Sequence, residues 1–172
     1  ILEPYELLQV NDLLRVSEYL KDYGKDIEEP YIKDLFNRIS INDFIKDEIE
    51  RSIISEDEIA DNASSELRNI RRQKARKEAD IKAKLNSYIS SDRYDDALQD
   101  KVVSIRDGRY VVPVKTNKKS VIGGIIHDKS SSGNTLFVEP AAIVELNNQL
   151  KDLELKEEDE IRRILDLSLI HI

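Results

Sequence analysis

From about Ala63 to Ser91 the sequence holds no glycine, no proline and no run of β-branched residues. A stretch of that kind has one regular conformation open to it, an α-helix of roughly 40 Å at 1.5 Å per residue. Its residues are too polar for the helix to persist alone in water, so it needs a partner. Leu67, Ile70, Ile81 and Tyr88 mark an a/d-like, coiled-coil seam for that partner, with Lys74 and Lys77 in its middle. The partner is expected after Pro140, which suits a first helical position. There Ile143, Leu146, Leu150, Leu153, Ile161 and Ile164 recur at helical spacing.

Between these helices the apolar period changes to two. Lys101 to Arg106 reads as a strand, and Asp107-Gly108 is a two-residue hairpin signal. Tyr110 to Lys115 continues the hairpin, with Pro113 pointing to a sheet edge. Val121 to His127 reads as a third strand, with Gly123-Gly124 at a bulge. Asp128 to Asn134 follows as a loop and Thr135 to Val138 as a fourth strand. The simplest arrangement is an antiparallel two-helix lever with a small β clamp at its tip.

Ahead of the lever, Pro4 to Tyr23 reads as a helix with Leu7, Val10, Leu13, Leu14 and Leu20 on one face and Gly24 as its stop. A second helix follows Pro30, with Ile32, Leu35, Phe36 and Ile39 on one face. Ser40 is the expected N-cap of a third, whose stripe is Ile41, Phe44, Ile45, Ile49 and Ile53. Residues 55 to 63 read as a turn. The fold class expected is therefore mainly α with a small antiparallel β unit (α+β). Its parts are a helical core segment at 1–62, lever helices at 63–91 and 140–167, and a β clamp at 92–139. Residues 168–172 abandon the charged pattern and are expected to be either a non-native tail or the start of a buried sequence whose rest lies outside this chain. Only 6% of the 172 residues are aromatic and tryptophan is absent, which argues against one thick core. Methionine is absent too and Ile1 opens the chain, as expected of a segment of a longer protein.

Composition removes several function classes. With no cysteine there are no disulfides, thiolate metal sites or cysteine catalysis, and two histidines leave little for a histidine metal site. No apolar run approaches the ~18 residues of a membrane span. The net charge is −8, yet between Lys101 and Lys129 seven basic residues face two acidic ones, a local +5. Those seven, Lys101, Arg106, Arg109, Lys115, Lys118, Lys119 and Lys129, are the candidate nucleic-acid contacts, because a basic tip on an acidic body suits a polyanion. The alternative is a small sheet with protective edge lysines. The basic run Arg68–Lys77 and the acidic run Glu154–Glu160 fall at equal distances from the tip and are expected to face each other.

Ser130-Ser131-Ser132-Gly133-Asn134 lacks the spacing of a phosphate-binding P-loop, and no helix begins directly after it. A catalytic triad from His127, Asp128 and the serines is disfavoured, since adjacent strand residues point to opposite faces.

Two long signatures resemble a known family. Ile105-Arg106-Asp107-Gly108-Arg109-Tyr110-Val111-Val112-Pro113-Val114-Lys115 is the first. The second runs from Gly124-Ile125-Ile126-His127-Asp128-Lys129 through Ser130 to Thr135-Leu136-Phe137-Val138-Glu139-Pro140, and Val144-Glu145-Leu146-Asn147-Asn148 continues it. With Ser64–Arg72 and Pro4–Leu8 they resemble the bacterial MutS-two family, the MutS paralogues without the mismatch-reading domain. Lys129, where relatives usually carry Gln, and the short, lysine-rich Thr116–Ser120 depart from the pattern.

The resemblance implies an internal piece holding helical core, lever and clamp of a dimeric, cytoplasmic, DNA-binding ATPase with a C-terminal Smr endonuclease domain. It implies suppression of homologous recombination and, in some bacteria, ribosome rescue. ATP and Mg are expected in a domain outside this chain, and no catalytic, cofactor or metal residue is assigned within it. Two main readings follow: a clamp contacting branched or duplex DNA, or a structural and dimerisation lever with a protein, ribosome or rRNA partner. A third, an independent hydrolase built on His127, needs turnover that His127→Ala abolishes.

Overall fold

The computed structural model describes residues 2–170, with side chains to residue 166; His171 and the tail expected at 168–172 fall outside the residues described in full. The helices are α1 Pro4–Tyr23, α2 Pro30–Asn37, α3 Asp43–Ser52, α4 Ser65–Ile89, the single turn α5 Asp92–Asp95, and α6 Val144–Ile170. The strands are β1 Ile53–Ser55, β2 Glu58–Ile59, β3 Ser104–Arg106, β4 Arg109–Lys115, β5 Gly124–Lys129 and β6 Thr135–Pro140. The fold is α+β, as the sequence predicts. The chain divides into two compact units, one of residues up to Asn69 with those from Glu157 onward, the other of Ile70–Lys156. The division falls inside α4 and α6, so each long helix contributes to both.

In the first unit, Leu7 of α1, Ile45 and Ile49 of α3, Ile53, Ile59, Leu67 and Ile164 build one apolar core. Pro at the first turn and a capping box between Glu3 and Glu6 start α1. Gly24 ends it in right-handed backbone, with φ of −63°. What Gly24 supplies is space: a Cβ there would sit 2.3 Å from the Phe36 Cβ. The apolar face expected on α2 is real in spacing but buries no residue of that helix. Asn42, not Ser40, caps α3, its Oδ1 accepting the Ile45 N–H at 3.2 Å. The expected turn at 55–63 holds a small hairpin, β1 against β2. Ser64 caps α4 by accepting the Leu67 N–H at 2.9 Å, and its hydroxyl donates to Glu160 at 2.6 Å. Arg163 closes on the same carboxylate from within α6 at 2.6 Å. Glu160 of the acidic run thus takes these partners within its own unit.

In the second unit four strands form an antiparallel sheet in the order β3-β4-β6-β5. Val112, Val114, Leu136 and Val138 line its core face. Ile81 and Leu85 of α4, Ile143, Leu150 of α6, and Ala97 and Leu98 complete that core. Asp107 (φ 50°) and Gly108 (φ 72°) both adopt the left-handed conformation that the two-residue turn requires. β4 is not an edge strand. Beyond β3 its flank is filled by the 97–99 segment: the Gln99 N–H donates to the Pro113 carbonyl and the Lys115 N–H to the Ala97 carbonyl, both at 2.9 Å. Pro113 is tolerated because its nitrogen falls on that flank, where the partner changes from β3 to Leu98. β5 starts at Gly124 and runs through Lys129, so the expected third strand is shifted toward the C-terminus. Its irregularity lies between Ile126 and Asp128, at His127, rather than at the glycine pair. Gly124 is required by close approach instead: a Cβ would meet the Glu139 carbonyl oxygen at 2.0 Å. Pro140 closes β6, and a 3-10 turn at Ala141–Ile143 precedes α6.

Candidate functional site

On the sheet face opposite the apolar core, several polar side chains converge on one carboxylate. Leu136 and Val138 alternate with Phe137 and Glu139 along β6, so Glu139 points away from that core. Its side chain is nonetheless fully buried. Arg109 at the start of β4 donates to Oε1 at 2.9 Å, and Asn147 of α6 donates to the same oxygen at 2.7 Å. His127 Nε2 meets Oε2 at 2.6 Å. Arg109 also donates to the Asn148 Oδ1 at 2.7 Å. Asn147 makes a two-way contact with the Tyr110 backbone, accepting its N–H at 3.3 Å and donating to its carbonyl at 3.1 Å. Burial pushes the Glu139 carboxyl up, but hydrogen bonds from Asn147, His127 and Arg109 outweigh it and hold the group below the usual glutamate value. An ionised carboxylate only accepts, so His127 Nε2 carries the proton in this contact.

This convergence ties β4, β5, β6 and the first turns of α6 into one body. It also explains why the two signatures and their continuation belong together: Arg109, His127, Glu139, Asn147 and Asn148 are distant in sequence and joined in space. Sequence reasoning assigned no role to Glu139, Asn147 or Asn148. The signal available was a lone glutamate alternating with apolar strand residues. The His127 ring nitrogen nearest a carboxylate is committed to Glu139, and among the described residues no serine hydroxyl bonds it, so the triad has no geometric support. Nor do three His, Asp or Glu side chains gather as a metal site among the described residues.

The seven basic candidates separate into distinct settings. Arg109 is consumed by Glu139. Arg106 lies 3.8 Å over the Phe137 ring and pairs with Asp128 at 3.1 Å, linking edge strand β3 to edge strand β5. Lys101 pairs with Asp95. Lys118 meets the Asp96 carboxylate at 2.5 Å, and Lys115 donates to the Asp96 carbonyl at 3.0 Å. Among the described residues, Lys119 and Lys129 have no ion pair.

Lys115 lies opposite Thr135 and Lys129 opposite Leu136, on the two flanks of β6. Neighbouring strands are about 4.8 Å apart, so the two backbones are roughly 10 Å from each other. Lys118 and Lys119 follow in the turn after β4. Four lysines therefore share one end of the sheet, away from Glu139. The Ser130–Asn134 segment at this end is an ordered hairpin turn: the Ser130 N–H donates to the Thr135 carbonyl at 2.9 Å, and the Ser130 hydroxyl accepts the Thr135 N–H at 3.0 Å. Its hydroxyl and amides are used internally, unlike those of a phosphate loop. The local +5 shrinks when the whole β unit is counted: over 92–140 eight basic residues face seven acidic ones.

No protein-family model matches the chain. It is similar to proteins named Endonuclease MutS2 from several bacteria. The one from Alkaliphilus oremlandii is 53% identical over 168 residues, 95% of this chain. Those from Clostridioides difficile and Acetivibrio thermocellus are 48% and 46% identical over 169 and 170 residues. The chain spans about a fifth of the length of these relatives, 21% in each case. At that identity over nearly its whole length, the chain corresponds to a segment of these MutS2 relatives.

Proposed function

We propose that this segment is the lever-and-clamp part of a MutS2 protein and that its β unit grips nucleic acid by the phosphate backbone. The observation that carries the reading is the clustering of Lys115, Lys118, Lys119 and Lys129 at one sheet end, with Lys119 and Lys129 unpaired among the described residues. Amino groups at this spacing suit successive phosphates, and the contact carries no base readout. The relatives are named endonucleases, and in this reading cleavage, ATP and Mg chemistry belong to other parts of the polypeptide. Suppression of recombination would follow from gripping branched DNA. The Glu139 network supports the transmission half of the reading, because a clamp driven by a lever must move with it.

Fluorescence anisotropy of the chain with a labelled four-way DNA junction and a matched duplex, between ~50 and ~200 mM salt, tests this. Four phosphate contacts predict a log–log salt slope of at most about −3.6. Binding should vanish in Lys119→Glu/Lys129→Glu. No binding at ~50 mM salt, either by this chain or by a variant without the neighbouring Asp95 and Asp96 carboxylates, would overturn the DNA reading and favour the second one, a structural and dimerisation lever with a protein or rRNA partner. That second reading draws on the five candidate cations already paired within the unit.

A further inference from the structure

The acids beside the lysine cluster are placed by the core of the second unit. Ala97 and Leu98 are buried, and Leu98 bridges Val114 of β4. The Lys115 N–H is held by the Ala97 carbonyl at 2.9 Å. Asp96 is therefore fixed next to the end of β4, one residue before a buried anchor. Its carboxylate lies 2.5 Å from Lys118 Nζ and 4.0 Å from Lys115 Nζ, and Asp95 just before it takes Lys101. The hydrogen bond from Lys118 holds the Asp96 carboxyl below its usual value. The Asp96 side chain is 77% exposed, so a phosphate can reach the lysines it holds.

We propose that Asp95 and Asp96 are a built-in competitor for the phosphate backbone, an autoinhibitory contact that occupies three of the candidate cations until a polyanion displaces it. The inference rests on the reading of this β unit as a nucleic-acid contact. The backbone of Asp96 cannot leave without breaking the Leu98–Val114 bridge, so only its carboxylate is displaced. The competitor therefore stays beside the site and lowers affinity at every encounter. Exposed ion pairs are individually weak, which makes the mask reversible rather than a block.

Anisotropy titrations with the same labelled duplex test this at ~100 mM salt. Asp95→Asn/Asp96→Asn should bind about 2- to 20-fold tighter than the unmodified chain. Asp107→Asn removes one negative charge at the far hairpin, well beyond a Debye length of about 10 Å, and should leave affinity unchanged where Asp96→Asn, also a single charge, raises it. In a Lys118→Gln background, adding Asp96→Asn should give a smaller gain than it gives alone. Thermal melting confirms that each variant is folded. Equal affinity of the double variant and the salt-sensitive unmodified chain would overturn the masking inference and leave the DNA reading standing. An equal gain from Asp107→Asn would overturn it as well. Absence of binding by both proteins at ~50 mM salt would remove the reading and the inference together. Binding by the double variant alone would support both.

Discussion

Replacing Glu139 with glutamine keeps the side chain's size and removes one negative charge from a fully buried position. Arg109 then loses its counter-ion, and the new amide group faces the His127 nitrogen that now donates. Breaking one partner out of a buried ion pair costs about 3–5 kcal/mol when the remaining charge is fully enclosed. Arg109 keeps 28% exposure, so water recovers part of that cost and about 2–3 kcal/mol remains. For a unit the size of 70–156, each kcal/mol lowers the midpoint by about 4–8 °C. The expected fall in Tm is therefore roughly 10–20 °C, read by far-UV circular dichroism at pH 7. Glu145→Gln, an exposed change in the first turn of α6, should stay within about 0.5 kcal/mol. The donors hold the folded Glu139 carboxyl below its unfolded value of about 4.3. Its contribution is then complete above that pH and disappears as pH falls through the lower folded value. The gap between the two proteins should close in acid. A fall of less than about 5 °C at pH 7, or a gap that is unchanged near pH ~2, would refute the assignment of this stability to an ionised, buried carboxylate.

Gly124→Ala places a methyl group against the β6 backbone and should cost more than about 2 kcal/mol, with amide exchange rising across Ile125–Lys129. Gly108→Ala meets no neighbouring atom, so its expected cost of about 1 kcal/mol is backbone strain at φ +72° alone, measurable by urea unfolding. Ser64→Ala removes both the α4 cap and the bond to Glu160 and should lose about 1–2 kcal/mol in the same assay. Loss of less than about 0.3 kcal/mol would mean that Ser64 contributes nothing beyond its backbone.

What could be read from the sequence was what local chemistry decides. Pro4 and the helical spacing after it set α1, and Asp107-Gly108 set the β3–β4 turn. The long uninterrupted stretch became α4. Failures arose where tertiary contacts override local signals. Pro113 pointed to an edge, but its missing N–H falls where β3 hands over to Leu98, fifteen residues back, which no local pattern announces. Ser40 and Asn42 are both competent caps, and only the backbone decides between them. The seven basic candidates were legible as residues; their partners Asp95, Asp96 and Glu139 lie outside the stretch whose charge suggested a basic tip. Glu139 itself was hidden because its partners stand 30, 12 and 8 residues away.

Those separations carry a kinetic consequence. Each hairpin of the sheet closes over a short loop and can form early. The Glu139 carboxylate is satisfied only after β4 has docked on β6, β5 has paired and α6 has brought Asn147 to Tyr110. Its contacts therefore belong to the downhill side of the folding barrier, with φ-values near zero. Glu139→Gln should leave the folding limb of the chevron nearly unmoved and accelerate unfolding by about 30- to 150-fold, the full factor that 2–3 kcal/mol allows. In a lever that is pulled on, the joint then governs how long the β unit stays attached rather than how quickly it assembles.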